Sequence, residues 1–295
     1  MHLFSRRIVA PTFACLLVVS GCGTDFSSLD ELLLKSARLI GPVQADHGLE
    51  YEEVAFPTDD GSQLVGWFVP ALSGAGRATA VIHTGMQGNI EEYLLTLPWW
   101  AENDFNVFVY DWRGFGNSEG LRRFGYFEAD TIAAIEYLKT RPEPGADAII
   151  HFGVSLGFAP ALAAAARFPD ETIGVVVFGA YEPARLPTDY LVTQLTPLLA
   201  PLGDIAGFFF GGWSTPFLAP SSHIDGVRAP ILAVILEDDV IVPPEAQLAL
   251  FERYPEPKEV LHTFGGHLRS HKKDPNLGPG IIAWCERLDG LPAAQ

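Results

Sequence analysis

Apolar and polar positions divide the chain from residue 51 onward into two alternating runs followed by a regular series of blocks. Tyr51–Phe56 and Gln63–Val69 alternate and flank Thr58-Asp59-Asp60-Gly61. That predicts a β-hairpin, because Asp and Gly accept the dihedrals of a tight turn. Short, nearly continuous apolar runs then predict strands at Ala78–His83, Asn106–Tyr110, Ala148–Phe152, Ile173–Phe178, Ile231–Leu236 and Glu259–Phe264. Helical patterns fall between them, near Ile90–Glu102, Tyr126–Lys139, Leu156–Arg167, Pro244–Arg253 and Gly280–Leu288. Strands apolar on both faces, alternating with helices, imply an α/β fold: a mostly parallel sheet covered on both sides and entered through an antiparallel hairpin. An insertion at about 181–228 interrupts the series. It is rich in proline and carries Phe208-Phe209-Phe210-Gly211-Gly212-Trp213, a composition unlike a sheet crossover.

Composition narrows the function. The 295 residues are 48% hydrophobic, enough for one large core, and the net charge of −17 argues against nucleic-acid partners because an acidic surface repels phosphate. There is no repeat, no low-complexity tract and no metal-ligand spacing such as CxxC or HExxH. At the N-terminus Arg6 and Arg7 precede an apolar run from Ile8 to Val19, shorter than the ~20 residues a membrane span needs. Val19-Ser20-Gly21-Cys22 follows and resembles the lipobox of bacterial lipoproteins. The resemblance implies a signal peptide over 1–21, lipidation of Cys22 and a tether over 22–46 that anchors a domain of residues 47–295 to the cell envelope. Gly23 after the cysteine points to an outer membrane, and Ser5-Arg6-Arg7-Ile8-Val9 is similar to part of a twin-arginine export signal. The alternative is an ordinary cleaved secretory signal. Of the three cysteines, Cys15 leaves with the signal and Cys22 carries lipid, so Cys285 has no partner for a disulfide and is expected to pack in a C-terminal helix.

The chemistry centres on Gly153-Val154-Ser155-Leu156-Gly157, set between the run at Ala148–Phe152 and an alanine-rich helical stretch. Strand, sharp turn and helix in that order push a serine hydroxyl out at the apex, while the two glycines remove Cβ atoms where strand and helix crowd. Gly116-Asn117-Ser118-Glu119-Gly120 matches the same spacing, but no helical pattern starts until about Tyr126, so Ser118 reads as loop.

With three further motifs this stretch resembles the serine hydrolases of the α/β-hydrolase fold, in the esterase, monoglyceride-lipase and serine-aminopeptidase-like branch. The motifs are Asp111-Trp112-Arg113-Gly114-Phe115-Gly116-Asn117-Ser118, similar to the family's D-x-R-G-x-G-x-S; Asp239-Val240-Ile241-Val242-Pro243 as the acid motif; and Gly265-Gly266-His267 as the base motif. The order Ser155, Asp239, His267 is that of the fold. The resemblance covers Tyr51 to Leu288 and implies that the insertion at about 181–228 is a cap. It also implies an oxyanion hole built from the backbone N–H groups of Leu156 and of Met86, the residue after Gly85. Here the chain departs from the family: the position that is usually histidine is Thr84, with His83 one place early. A second departure is Pro160 inside the expected elbow helix, which either kinks that helix or marks a late start.

A serine hydroxyl becomes a good nucleophile when an imidazole takes its proton, and a carboxylate holds that imidazole in the required tautomer. His267 is the expected base, in competition with His262 and His271, and Asp239 the expected acid, in competition with Asp238. Asp111 and Arg113 are expected to brace their loop. The expected activity is cleavage of small carboxylic esters with an apolar acyl group, without cofactor or metal. Thioesters, amides and a non-catalytic binding lipoprotein are the alternatives.

Overall fold

A computed structural model describes residues 49–85, 89–94, 96–182, 223–267 and 270–293. The lipobox with Cys22, the tether, Met86 and most of the expected cap lie outside the described residues. Eight strands form one sheet: β1 Glu52–Pro57, β2 Gln63–Val69, β3 Ala78–His83, β4 Phe105–Tyr110, β5 Ile149–Val154, β6 Thr172–Phe178, β7 Ile231–Leu236 and β8 Lys258–Thr263, in the order β1-β2-β4-β3-β5-β6-β7-β8. β1 and β2 form the expected antiparallel hairpin, β2 runs antiparallel to β4, and every later pairing is parallel.

Strand residues alternate between two packed faces. Ile82, Phe152, Phe178 and Leu236 point to the face covered by helix α1 (Leu97–Ala101) and by a C-terminal helix over Leu277–Cys285. Val81, Ile149, Val175 and Ile235 point to the other, covered by α2 (Phe127–Leu138), α3 (Phe158–Arg167) and α4 (Pro244–Phe251). A short helix α5 (Ser270–Lys273) leads into the C-terminal helix, α6. Cys285 is buried in α6 as a free thiol whose pKa is pushed up by burial.

Two expected helices are placed differently. The pattern at Ile90–Glu102 resolves into a 3-10 turn at Ile90–Tyr93 and the separate α1, with Pro98 in the first turn of α1, where its missing N–H leaves no helical bond unmade. The elbow helix starts late: Ser155–Gly157 is a 3-10 turn, and Pro160 is the third residue of α3. Since the first four N–H groups of a helix have no partner within it, Pro160 breaks no bond there.

A chain of buried polar groups crosses the second face. Tyr110 Oη lies 2.9 Å from Thr131 Oγ1 and 3.0 Å from His83 Nδ1, His83 Nε2 lies 3.0 Å from His151 Nδ1, and His151 Nε2 lies 3.2 Å from Thr172 Oγ1. It ties β4, β3, β5 and β6 together across the strands. A neutral imidazole has one donor and one acceptor nitrogen, so the bonds can run in either direction provided neither ring is charged. Burial holds both rings neutral. It drives the pKa of His83 well below the ordinary histidine value of 6.5 and that of His151 down to about 3.

The unfolded chain therefore takes up protons first as pH falls below about 6.5, and stability is lost from there downward, by ~1.4 kcal/mol per pH unit for each histidine. His151→Gln removes one of these groups. Denaturant melts between pH 7 and pH 5 should show a shallower loss for this variant than for the wild type; equal slopes would contradict the account of the buried pair.

Candidate active site

The end of β5 is where the sheet becomes crowded. A Cβ on Gly157 would lie 2.1 Å from the His83 carbonyl oxygen, and one on Gly153 would lie 2.6 Å from Phe158 Cα. α3 is thus pressed against the ends of β3 and β5 at a distance only glycine permits, and the connecting residue takes up the bend. Ser155 has φ +49°, in the left-handed region, where a residue with a side chain is strained by ~1–2 kcal/mol.

The other two expected residues meet Ser155. His267 Nε2 lies 2.8 Å from Ser155 Oγ, and His267 Nδ1 lies 2.6 Å from Asp239 Oδ2. Asp239 Oδ1 accepts from the N–H groups of Ile241 and Val242 at 2.8 and 3.0 Å, which fixes the carboxylate and leaves Oδ2 for the imidazole. That is why the acid lies at a fixed distance before Val242-Pro243: the turn leading into α4 folds around it. Asp238 faces elsewhere. Its Oδ1 accepts from Gly265 and Gly266 N–H at 2.7 and 2.8 Å, and those bonds, Gly266 first, hold its pKa below the usual carboxylate range. Adjacent carboxylates thus hold His267 by different means, one through its ring and one through the backbone just before it. The role of Asp238 had no signal in sequence, because it depends on the loop 28 residues later folding back.

The competing candidates have other partners or positions. His262 lies on β8 and pairs with Glu237, and His271 lies in α5. Ser118 is buried: its Oγ donates to the Asp111 carbonyl at 2.7 Å and accepts from Val65 N–H at 2.8 Å, so the second GxSxG is a structural brace. Asp111 and Arg113 brace as expected. Asp111 accepts from Ile90 N–H at 3.0 Å and from Asn117 N–H at 3.2 Å, joining its loop to the segment after β3. Burial raises the Asp111 carboxyl to a pKa of about 6, against the pull of those two N–H groups. Arg113 binds Asp130 through Nε at 2.6 Å and Asp60 through Nη1 at 2.6 Å.

The loop after β3 passes beside the serine, since a Cβ on Gly85 would lie 3.6 Å from Ser155 Cβ. Tyr93 accepts from Gly85 N–H at 2.6 Å and Trp112 Nε1 donates to the Thr84 carbonyl at 3.3 Å. Neither contact was legible in sequence. Leu156, next to Ser155, is in the 3-10 turn with its side chain buried. A pocket of about 460 Å³ opens beside His267, floored by Phe152, Val154 and Phe178.

A family model described as serine aminopeptidase, S33, matches residues 74–209. The chain is 36% identical over 129 residues to the uncharacterized protein YfhR of Escherichia coli K12, a match covering 43% of this chain and 45% of that one, so it spans less than half the length of that relative. It is 27% identical over 227 residues to the uncharacterized membrane protein YNL320W of Saccharomyces cerevisiae, covering 75% of this chain and 74% of that one. The esterase Pf2001 of Pyrococcus furiosus has a similar structure, with a TM-score of 0.69 at 20% identity over 85% of this chain and 96% of the other. With its eight-stranded, mostly parallel sheet, the chain has the α/β-hydrolase fold.

The packing around the elbow carries its own test. Gly157→Ala should lose about 3 kcal/mol or more, because the new Cβ meets backbone that cannot move aside. Ser118→Ala should lose ~1–3 kcal/mol by stranding a buried N–H and a carbonyl. Both are read from chemical denaturation, and a Gly157→Ala variant as stable as the wild type would contradict the close approach of α3 to β3.

Proposed function

We propose that the chain is a serine hydrolase of carboxylic esters, with Ser155 as nucleophile, His267 as general base and acid, and Asp239 as the group that orients and stabilises the imidazole. The observation that carries this reading is His267 standing between Ser155 Oγ and Asp239 Oδ2, at 2.8 and 2.6 Å. In the reaction Ser155 Oγ attacks the ester carbonyl carbon as its proton passes to His267 Nε2. The carbonyl oxygen becomes an anion, held by the backbone N–H of Leu156 and, in this reading, of Met86. When the C–O bond breaks, Nε2 returns the proton to the departing alkoxide and an acyl-enzyme remains. Water deprotonated by the same imidazole then attacks the acyl carbon and releases the acid and free Ser155. The residues require no cofactor for these steps. The match to a model described as a serine aminopeptidase favours amides as the second reading, since the same steps would cleave them. The anionic chain, at −17, suits a small neutral substrate and not a nucleic acid.

Turnover of a short-chain nitrophenyl ester tests the assignment. Ser155→Ala should lose roughly 10³- to 10⁶-fold and Asp239→Asn roughly 10²- to 10⁴-fold, the latter by leaving the imidazole in the wrong tautomer. Asp238→Asn should lose much less, because the amide oxygen still accepts from the Gly265 and Gly266 N–H groups. A larger loss from Asp238→Asn than from Asp239→Asn, with both folded, would overturn it.

We also propose that Cys22 carries the lipid that holds the enzyme at the cell envelope, on the outer membrane facing the periplasm or at the cell surface. The support is Val19-Ser20-Gly21-Cys22 after a short apolar run. The wild type should partition into the detergent phase because acyl chains supply the affinity, and Cys22→Ser should accumulate as unprocessed precursor. Identical mobility and partitioning of the two proteins would contradict lipidation.

A further inference from the structure

The pocket beside His267 lies between the segment from Glu91 to Trp99 and the segment from His271 to Leu277. Phe152, Val154 and Phe178 form its floor, and Tyr93, Trp99 and Leu277 its apolar walls. At about 460 Å³ it is toward the small end of the ~300–1,000 Å³ usual for ligand sites, room for one ring or a short chain. Polar and charged side chains of both signs line it as well, Glu91, Glu92 and Thr96 from one segment and His271 and Lys272 from the other. Such a mixed lining selects neither a cationic nor an anionic group, and the apolar floor suits a neutral hydrocarbon.

His267 is itself one of the walls. In ester cleavage that imidazole must deliver its proton to the departing oxygen as the bond to the acyl carbon breaks, which requires that oxygen within about 3 Å of Nε2. The hydrocarbon attached to the departing oxygen therefore begins next to His267, where the cavity with its apolar floor opens. We propose that this pocket holds the departing alcohol of the ester and that the enzyme selects esters of apolar, uncharged alcohols about six carbons long. The inference rests on the serine-hydrolase reading.

Two isomeric esters separate the possibilities, because hexyl acetate and ethyl hexanoate carry the same atoms with the long chain on opposite sides of the ester bond. Hexyl acetate should show a kcat/KM at least about tenfold higher, the additional buried methylenes being on the alcohol side. Leu94→Trp, which fills the pocket from its wall, should bring the ratio of the two close to one. Equal rates on the wild type, or preference for ethyl hexanoate, would overturn the inference, as would a hexyl acetate preference that Leu94→Trp leaves unchanged. A fluorophosphonate probe run alongside tells the two levels apart. A labelled wild type with equal rates refutes only the pocket assignment, whereas an unlabelled protein that hydrolyses neither ester refutes the serine-hydrolase reading and this inference together.

Discussion

The site depends on how closely the start of α3 approaches the end of β3. The carbonyl oxygen of His83 occupies the space a Cβ on Gly157 would need, at 2.1 Å, so strand and helix meet with no side chain between them. The chain between Gly153 and Gly157 can complete its turn only by putting Ser155 in the left-handed region, at φ +49°. That conformation costs stability, and the packed core around it supplies the compensation. The serine is held at the sheet edge by the same contacts that hold the fold together.

The rest of the sheet edge is fixed by contacts of the same kind. β3 ends in His83, whose ring is bonded on one side to Tyr110 and on the other to His151, four residues before Ser155. The loop that continues from β3 is tied down by Tyr93 on Gly85, Trp112 on Thr84 and Asp111 on Ile90. On the far side Asp239 and Asp238 together fix His267, the first through its ring and the second through the two glycines before it. These partners come from the ends of β3, β4, β5 and β7 and the segments that follow them, so the site is set by the parallel order of the sheet.

What could be read from sequence follows from the range of each signal. Strands β3 to β7 were legible because each is a continuous apolar run, and Ser155, Asp239 and His267 because each lies in a short motif after such a run. The pattern at Ile90–Glu102 misled because it joined a 3-10 turn and a helix that share one apolar face, and only the structure shows the break. Pro160 posed a question that was settled by one fact, the helix beginning at Phe158. The brace of Ser118, the anchor of Asp238, the buried His83–His151 pair and the pocket were not legible. Each is made by residues distant in sequence, where spacing carries no information.

The central claim is that Ser155, alone among the described serines, is made nucleophilic by an imidazole. Reacting the protein with a fluorophosphonate and mapping the adduct by peptide mass spectrometry tests this most directly. The account predicts a single adduct on the peptide containing Ser155, lost when His267 is replaced by alanine. An adduct on Ser118 or another serine, or labelling of Ser155 that survives the loss of His267, would contradict it.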